Sequence, residues 1–308
     1  MLYFFAVIMW TSLIPFSPTL VSRVENKTVS DLEINVLYKD GSIRKMTLDE
    51  YVLGVMLTEM PSNYEKQALK AQAVAIRSYA LYLMENSVTK HHPEADLCAD
   101  GNCCRKYITY DELCEISGDK NADLRLAIMS TAVKETQGEV LTYNGKTAMT
   151  LYHISSPART ESYENLFGLD VPYLTGVDNV DESGFIYYKK ELHYTYEELQ
   201  KLLVKNGFDY SYKKDEKSFA TPNKNLRSEY AVFGNVKVNA SLFAEIAGLN
   251  STFFEITQKN DGYTFSSYGY GSGLGMSQYG ANVLASKGYD YKDILSFYFK
   301  GTLIEKVN

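Results

Sequence analysis

"YVLGVMLTEMPSNYEKQALKAQAVAIRSYAL", residues 51–81, decides how the chain is read. Just upstream, Thr47-Leu48-Asp49-Glu50 has the spacing of a capping box, in which Thr47 and Glu50 satisfy each other's backbone donors. A helix is therefore expected from about Leu48 to Met60, stopped by Pro61. Ser62-Asn63-Tyr64-Glu65 repeats the spacing. In the helix expected after it, Ala68, Ala71, Gln72, Ala75, Tyr79 and Leu83 share one face, small enough at several positions for close approach of another element. Glu59 then sits at the C-terminal end of the first helix, where the macrodipole disfavours negative charge. Met56, Leu57 and Met60 surround it with apolar surface that would raise its pKa and keep it protonated near neutral pH. A general acid needs that property, although a lone glutamate at a helix end is more often surface decoration.

Upstream, "LEINVLYKDGSIRKMTL" alternates on both sides of Asp40-Gly41 and reads as a β-hairpin. Further back, Leu2–Val21 carries no charge and is long enough to cross a bilayer. No basic segment precedes it, and Pro15 and Pro18 weaken it as a helix, which leaves a cleaved signal peptide as the alternative to the retained anchor read here; either places the rest outside the cytoplasm. The composition is that of a globular protein, with 45% hydrophobic and 22% charged residues in 308. A net charge of −7 without a dense basic cluster argues against nucleic acid as a partner. The 26 tyrosines would suit stacking on sugars, but they equally suit any half-buried surface.

Downstream, all four cysteines fall in "HHPEADLCADGNCCRKYITYDELC", beside His91 and His92. His92, Cys98 and Cys104 are spaced by six, and sulfur with imidazole is the donor set zinc prefers. Cys103, water or an exogenous group would take the fourth position. A disulfide is the rival in an extracytoplasmic compartment, though adjacent cysteines make a poor framework for one. Residues 185–258 differ in character. "YTYEELQKLLVKNG" reads as a short helix, "YSYKKDEKSFATPNKNLRSE" as a polar loop and "YAVFGNVKV" as strands. The fold class expected is α+β, with mixed helices and antiparallel strands. The expected organisation is an N-terminal anchor or signal segment over 1–25, a catalytic lobe over 30–184, a smaller insertion domain over 185–258 and a Gly-rich segment over 259–308 completing the lobe beside a substrate cleft.

Four ordered stretches resemble the stage II sporulation protein D family, covering about residues 30–308. The first is residues 57–81, with Glu-Met-Pro, the Ala-Leu-Lys-Ala-Gln-Ala helix and Arg77-Ser78-Tyr79 at the position of the family's Arg-Tyr pair. The second is "YHISSPARTESYENLFGLDVPYLTGV" at 152–177. The third is "AGLNSTFFEI" at 247–256, and the fourth "GYGSGLGMSQYGANVLASKGYDYKDILSFYFKGT" at 269–302. The resemblance implies a lytic transglycosylase acting on peptidoglycan glycan strands, preferably those stripped of stem peptides, during engulfment in sporulation. It implies Glu59 as the catalytic acid and Arg77 as a residue that orients Glu59 or binds glycan. His153, Ser156, Arg159, Thr160, Ser277, Gln278 and Tyr279 would bind substrate. It singles out Cys104 over Cys103 as the third member of a structural zinc site.

Two positions depart from the family pattern: Pro157-Ala158 replaces Gly-Gly, and Ser272 replaces the histidine of the glycine-rich loop Gly269–Gly275. That loop has backbone brought close to substrate or to another chain segment, and lacks the lysine of a phosphate cradle. The partners implied are glycan strands, an amidase of the stage II sporulation protein P type and a membrane scaffold protein. The location implied is the extracytoplasmic face of the membrane, in a sporulating cell the mother-cell membrane facing the forespore. A non-catalytic amidase enhancer of the LytB type is the alternative, and a zinc-stabilised wall-binding module a third.

Overall fold

The computed structural model describes residues 29, 32–86 and 92–307, and the chain divides into two compact units, one of residues up to 151 together with 284–308, the other of 152–283. The expected anchor, Leu2–Val21, lies outside the described residues. Among the described residues no helix is long and apolar enough to cross a membrane.

The first unit opens with the anticipated hairpin, β1 (Glu33–Leu37) and β2 (Ile43–Thr47), antiparallel in the register Glu33↔Thr47. Its loop closes with Tyr38 N–H on the Ser42 carbonyl, and Gly41 takes φ +82°, the left-handed position that glycine fills without strain. The Thr47/Glu50 capping box is formed and starts α1 (Leu48–Glu59). Met60 has already turned extended, as a residue before proline must, so the helix ends one residue sooner than expected. The second capping box does not form. Tyr64 N–H bonds the Pro61 carbonyl in a separate turn, so α2 (Lys66–Glu85) starts at Lys66 without a side-chain cap.

A short strand β3 (Leu97–Cys98) pairs parallel with β1, and α3 (Tyr110–Ser117) and α4 (Asp119–Glu135) follow. Strands β4 (Glu139–Tyr143) and β5 (Lys146–Thr147) complete this stretch. The close approach that the alanine face of α2 promised is realised by burial of Ala68, Ala71 and Ala75. Arg77 is buried on the same helix.

The second unit begins with β6 (Tyr152–His153) and α5 (Tyr163–Phe167), then β7 (Lys189–Thr195) and α6 (Tyr196–Lys205). Strands β8 (Ser218–Pro222), β9 (Ser228–Phe233) and β10 (Val236–Asn239) form one antiparallel sheet, with α7 (Ala240–Ile246) next. Strands β11 (Phe254–Gln258) and β12 (Gly262–Tyr268) form a second with β7. Strand β13 (Met276–Ser277) pairs parallel with β6, and α8 (Gln278–Ser286) follows. The core is Leu199 and Leu203 of α6, Phe243 of α7, Phe233 of β9 and Tyr263 and Phe265 of β12. The first unit is completed by α9 (Tyr291–Tyr298) and β14 (Leu303–Lys306), which pairs antiparallel with β4.

The architecture is α+β, as expected, with different boundaries. Residues 185–258 are not a separate insertion, because β12 pairs with β7 and β13 with β6, which draws 152–184 and 259–283 into the same unit. The segment read as a polar loop holds β8, whose Ala220 packs on the core while its neighbours point outward.

Arg77 sits at the centre of the first unit. Its Nε donates to Asp49 of α1 at 2.8 Å, Nη1 to the carbonyls of Thr136 and Glu139 at 2.9 and 3.2 Å, and Nη2 to that of Val133 at 3.3 Å. Deleting a buried cation strands its partners, so Arg77→Ala is expected to lose about 3–5 kcal/mol in denaturant unfolding. A loss under about 1 kcal/mol, the worth of an exposed pair, would show that the clamp carries little.

Candidate functional site

Glu59 closes α1 and is half-buried, and among the described residues its carboxylate has no hydrogen-bond partner. Burial pushes its pKa above the ordinary value, while the positive charges of Arg105 and Lys106 pull the other way without overcoming it. The desolvation read from Met56, Leu57 and Met60 is thus present, and all three are buried. Arg125 of α4 donates from Nη2 to the Met60 carbonyl at 3.0 Å, placing a cation at the negative end of the helix.

Of the two roles expected of Arg77, binding glycan is closed to it. Its guanidinium is taken up by Asp49 and three carbonyls, so it positions α1 as a whole and is closed to glycan. The cation that bears on Glu59 is Arg105, whose guanidinium carbon lies 4.8 Å above the ring of Tyr79. Sequence reasoning missed Arg105 because its relation to Glu59 runs through a loop rather than along a helix.

That loop carries the metal candidates. His92, Cys98 and Cys104 are brought together with Cys103, and their ligand atoms all lie within 4.8 Å of one another. His92 Nε2 is 3.4 Å from Cys104 Sγ, and the Cys103 and Cys104 sulfurs are 4.0 Å apart. A tetrahedral zinc with bonds of about 2.0–2.3 Å needs donors roughly 3.5–3.8 Å apart, so the set fits after small adjustment. The Ala95 carbonyl lies 3.1 Å from His92 Nδ1 and holds the proton there, leaving Nε2 as the ligand. Hydrogen bonds from Cys103 and Cys104 pull the Cys98 thiol below its usual range, and the bonds to Cys98 together with burial push Cys103 and Cys104 above theirs, so the three sulfurs titrate as one cluster. All four cysteines are free thiols, which is not the arrangement of the disulfide alternative.

The loop is seated on α1. Tyr51 Oη donates to the Cys98 carbonyl at 3.3 Å, and Thr58 Oγ1 to the Lys106 carbonyl at 2.8 Å. A Cβ on Gly54 would stand 2.1 Å from Tyr107 Cε2, so glycine is what admits the ring. Chain held by Cys104 on one side and Thr58 on the other presents Arg105 and Lys106 to Glu59.

The remaining candidates lie in the second unit, and most are framework. His153 is buried; its Nδ1 is 2.9 Å from the Leu274 carbonyl and burial drives its pKa down to about 3, so it is a neutral core histidine. Ser156, Thr160, Ser277 and Gln278 are buried as well. Ser156 Oγ donates to the Arg159 carbonyl and accepts from Arg227 at 2.7 Å, and Thr160 Oγ1 accepts from Val177 N–H. Arg159, with 32% of its side chain exposed, and half-buried Tyr279 keep an open face. Arg159 bonds Asn225, Asp178 and the Gly176 carbonyl.

The glycine-rich loop touches chain within its own unit. A Cβ on Gly269 would meet Pro157, one on Gly271 the His153 side chain, and one on Gly273 the Arg227 guanidinium at 2.3 Å. Three buried residues, Glu161, Glu182 and Arg227, organise this region and were missed, because no motif marks them.

With the geometry in view, similarity can be weighed. The profile of the stage II sporulation protein family matches residues 39–143, within the unit that holds Glu59. The chain is 33% identical to stage II sporulation protein D of Bacillus subtilis (strain 168), covering 87% of this chain and 77% of that one. The chain belongs to the stage II sporulation protein D family. It is 29% identical to the protein of the same name from Bacillus amyloliquefaciens, over 87% of this chain and 76% of that relative. It is also 26% identical to an amidase enhancer of Bacillus subtilis (strain 168), over 82% of this chain and 40% of the enhancer.

The departure at Pro157-Ala158 has a physical consequence. Ala158 holds φ +45°, a left-handed conformation that glycine adopts freely and alanine does not. Ala158→Gly is therefore expected to gain about 1 kcal/mol, read as a rise in Tm. A fall in Tm would show that the loop relaxes at Ala158 without strain.

Proposed function

We propose that this protein is a lytic transglycosylase of peptidoglycan glycan strands, with Glu59 as its single catalytic carboxyl. The observation that supports this most is a desolvated carboxyl without a hydrogen-bond partner among the described residues, its pKa raised, at the Glu-Met-Pro of the family stretch. As the acid, Glu59 protonates the glycosidic oxygen as the bond to C1 of the muramyl sugar breaks. As the carboxylate so formed, it takes the proton of the muramyl 6-hydroxyl while that oxygen closes on C1. The product is a 1,6-anhydro end, Glu59 is restored, and no water is consumed. Hydrolysing glycosidases need a second carboxylate for water or as nucleophile, and this route dispenses with it.

In this reading Arg105 and Lys106 keep the acid from becoming too weak to give up its proton, and they stabilise the carboxylate after transfer. His92, Cys98, Cys103 and Cys104 would hold zinc as a structural clamp on the loop that carries those two cations; a closed four-donor set supplies fold stability. The protein would act in sporulation outside the cytoplasm on strands from which an amidase has removed the peptides, held at the membrane by Leu2–Val21 and a scaffold partner. The second reading, a non-catalytic amidase enhancer, draws on the similarity to the amidase enhancer and on Ser272 in the glycine-rich loop.

Glu59→Gln is expected to abolish release of anhydro ends while melting no lower than wild type, since it removes a charge that burial disfavours. Equal activity in wild type and Glu59→Gln would overturn the assignment. The working form is the protonated acid and its pKa is raised, so the rate is expected to fall as pH rises through that pKa. Lys106→Gln removes a charge that lowers the pKa, so this alkaline limb should move to higher pH; an unmoved or lowered limb would place the acid elsewhere. For the metal, about one zinc per chain is expected by elemental analysis, with loss of metal and a lowered Tm in Cys98→Ser and Cys104→Ser. Wild-type protein purified without zinc and melting unchanged under chelator would remove the clamp.

A further inference from the structure

Glu182 is a buried carboxylate in the second unit that the chemistry at Glu59 does not use. Its Oε2 accepts from Ser155 Oγ at 2.7 Å and from Ser156 N–H at 2.9 Å. Its Oε1 accepts from Asn179 Nδ2, and the Ser277 hydroxyl is a further partner. Burial raises its pKa against the pull of these bonds. Three stretches distant in sequence thus converge on one group: the 155–160 loop, the 178–182 segment and the β13–α8 junction.

What hangs from those stretches is the exposed part of the unit. Arg159 leaves the loop pinned at Ser155 and Ser156, and Tyr279 follows Ser277 directly. The Glu182 carbonyl accepts from Phe185 N–H, closing the turn that sets Phe185 on Tyr279 with ring centroids 5.1 Å apart. Tyr187 continues the series edge-on to Phe185 at 5.7 Å, and with Ile186 it stands in solvent, the two 59% and 81% exposed. Aromatic and aliphatic side chains held out on an anchored loop mark a recognition surface. Rings bearing hydroxyls suit the apolar faces of an amino-sugar polymer, and a partly exposed guanidinium on the same Glu182-anchored framework suits its acetamido oxygens.

We propose that Glu182 is the positioning residue of a glycan-recognition face formed by Arg159, Tyr279, Phe185 and Tyr187. This rests on the reading that the protein's substrate is glycan. A carboxylate is required at position 182. With glutamine there, the new NH2 faces either the Ser156 N–H, which can only donate, or Asn179. Asn179 would then have to flip and give up its own bond to the Ser156 carbonyl.

The test uses the full chain and peptide-free glycan strands, following both binding and the rate against glycan concentration in wild type, Glu182→Gln, Ser155→Ala and Glu216→Gln. Glu216 is the control, a half-buried carboxylate of the same unit that accepts from the Tyr210 and Tyr263 hydroxyls in the core. Glu182→Gln is expected to raise Kd and KM roughly tenfold with kcat within about twofold, the size of one lost charge-assisted contact. Ser155→Ala should move both constants the same way by less, and it carries the test if Glu182→Gln does not fold. Glu216→Gln should lower Tm with Kd unchanged.

Unchanged Kd and KM in both Glu182→Gln and Ser155→Ala would overturn the proposal while leaving the transglycosylase reading intact. An equal change in Glu216→Gln would also overturn it, showing a merely structural carboxylate. Binding without cleavage by wild type would sink the transglycosylase reading, and the Kd comparison alone would then decide the role of Glu182. Absence of binding and cleavage in folded wild type would overturn both.

Discussion

A guanidinium buried without water must have its donors met by protein, and Arg77 meets that demand with Asp49 and three main-chain carbonyls. Those partners come from the start of α1, the end of α4 and the start of β4, while Arg77 itself belongs to α2. The requirement therefore fixes four elements against one another. It sets the direction of α1 from its first turn, and so where its last residue, Glu59, is delivered. Replacing only one partner of such a network is costly, whereas the network as a whole adds specificity of arrangement more than stability.

On that frame the tuning of Glu59 is a contest between two terms of opposite sign. Burial and the helix end favour the protonated acid, and Arg105 and Lys106 favour the carboxylate. Both cations reach the site on a loop that β3, Tyr51, Thr58 and the cleft at Gly54 hold to α1. The cysteines and His92 lie at the root of the same loop. A metal held there would need no part in bond breaking to matter, because the loop it would order carries the two cations that bear on Glu59.

Legibility in the sequence followed locality. The hairpin at Gly41, the capping box at Thr47 and the end of α1 before Pro61 are decided within a few residues, and each formed, with the helix ending one residue early. The capping box at Ser62 failed because Pro61 and Tyr64 made a competing turn. Strand β8 hid in polar sequence because its inward positions are small, Ala220 packing on the core and Ser218 bonding the Tyr263 hydroxyl. Glu59 could be read from its apolar neighbours and its family stretch together. Arg77 looked functional because its position in the motif is family-like, yet a motif records need and not exposure. Arg105, Glu182 and Arg227 had no local signal; each acquires its role from partners tens of residues away. Cys103 was open in the sequence since adjacency alone does not say which of two sulfurs turns inward.

In the second unit the candidates drawn from the family stretches sort into a buried frame and an outer face. His153, Ser156, Thr160 and Ser277 belong to the frame, and Arg159 with Tyr279 to the face. The glycine-rich loop owes its composition to that frame, since side chains at Gly269, Gly271 and Gly273 would collide with Pro157, His153 and Arg227. At the place of the family histidine, Ser272 Oγ accepts from Leu274 N–H at 3.3 Å and so bonds within its own loop. The central claim, that one carboxyl cleaves glycan without water, is tested most directly by digesting peptide-free strands in 18O-labelled water and reading the new ends by mass spectrometry. The account predicts 1,6-anhydromuramyl ends free of label; reducing ends carrying 18O would contradict it, because hydrolysis would then require a second group to activate water.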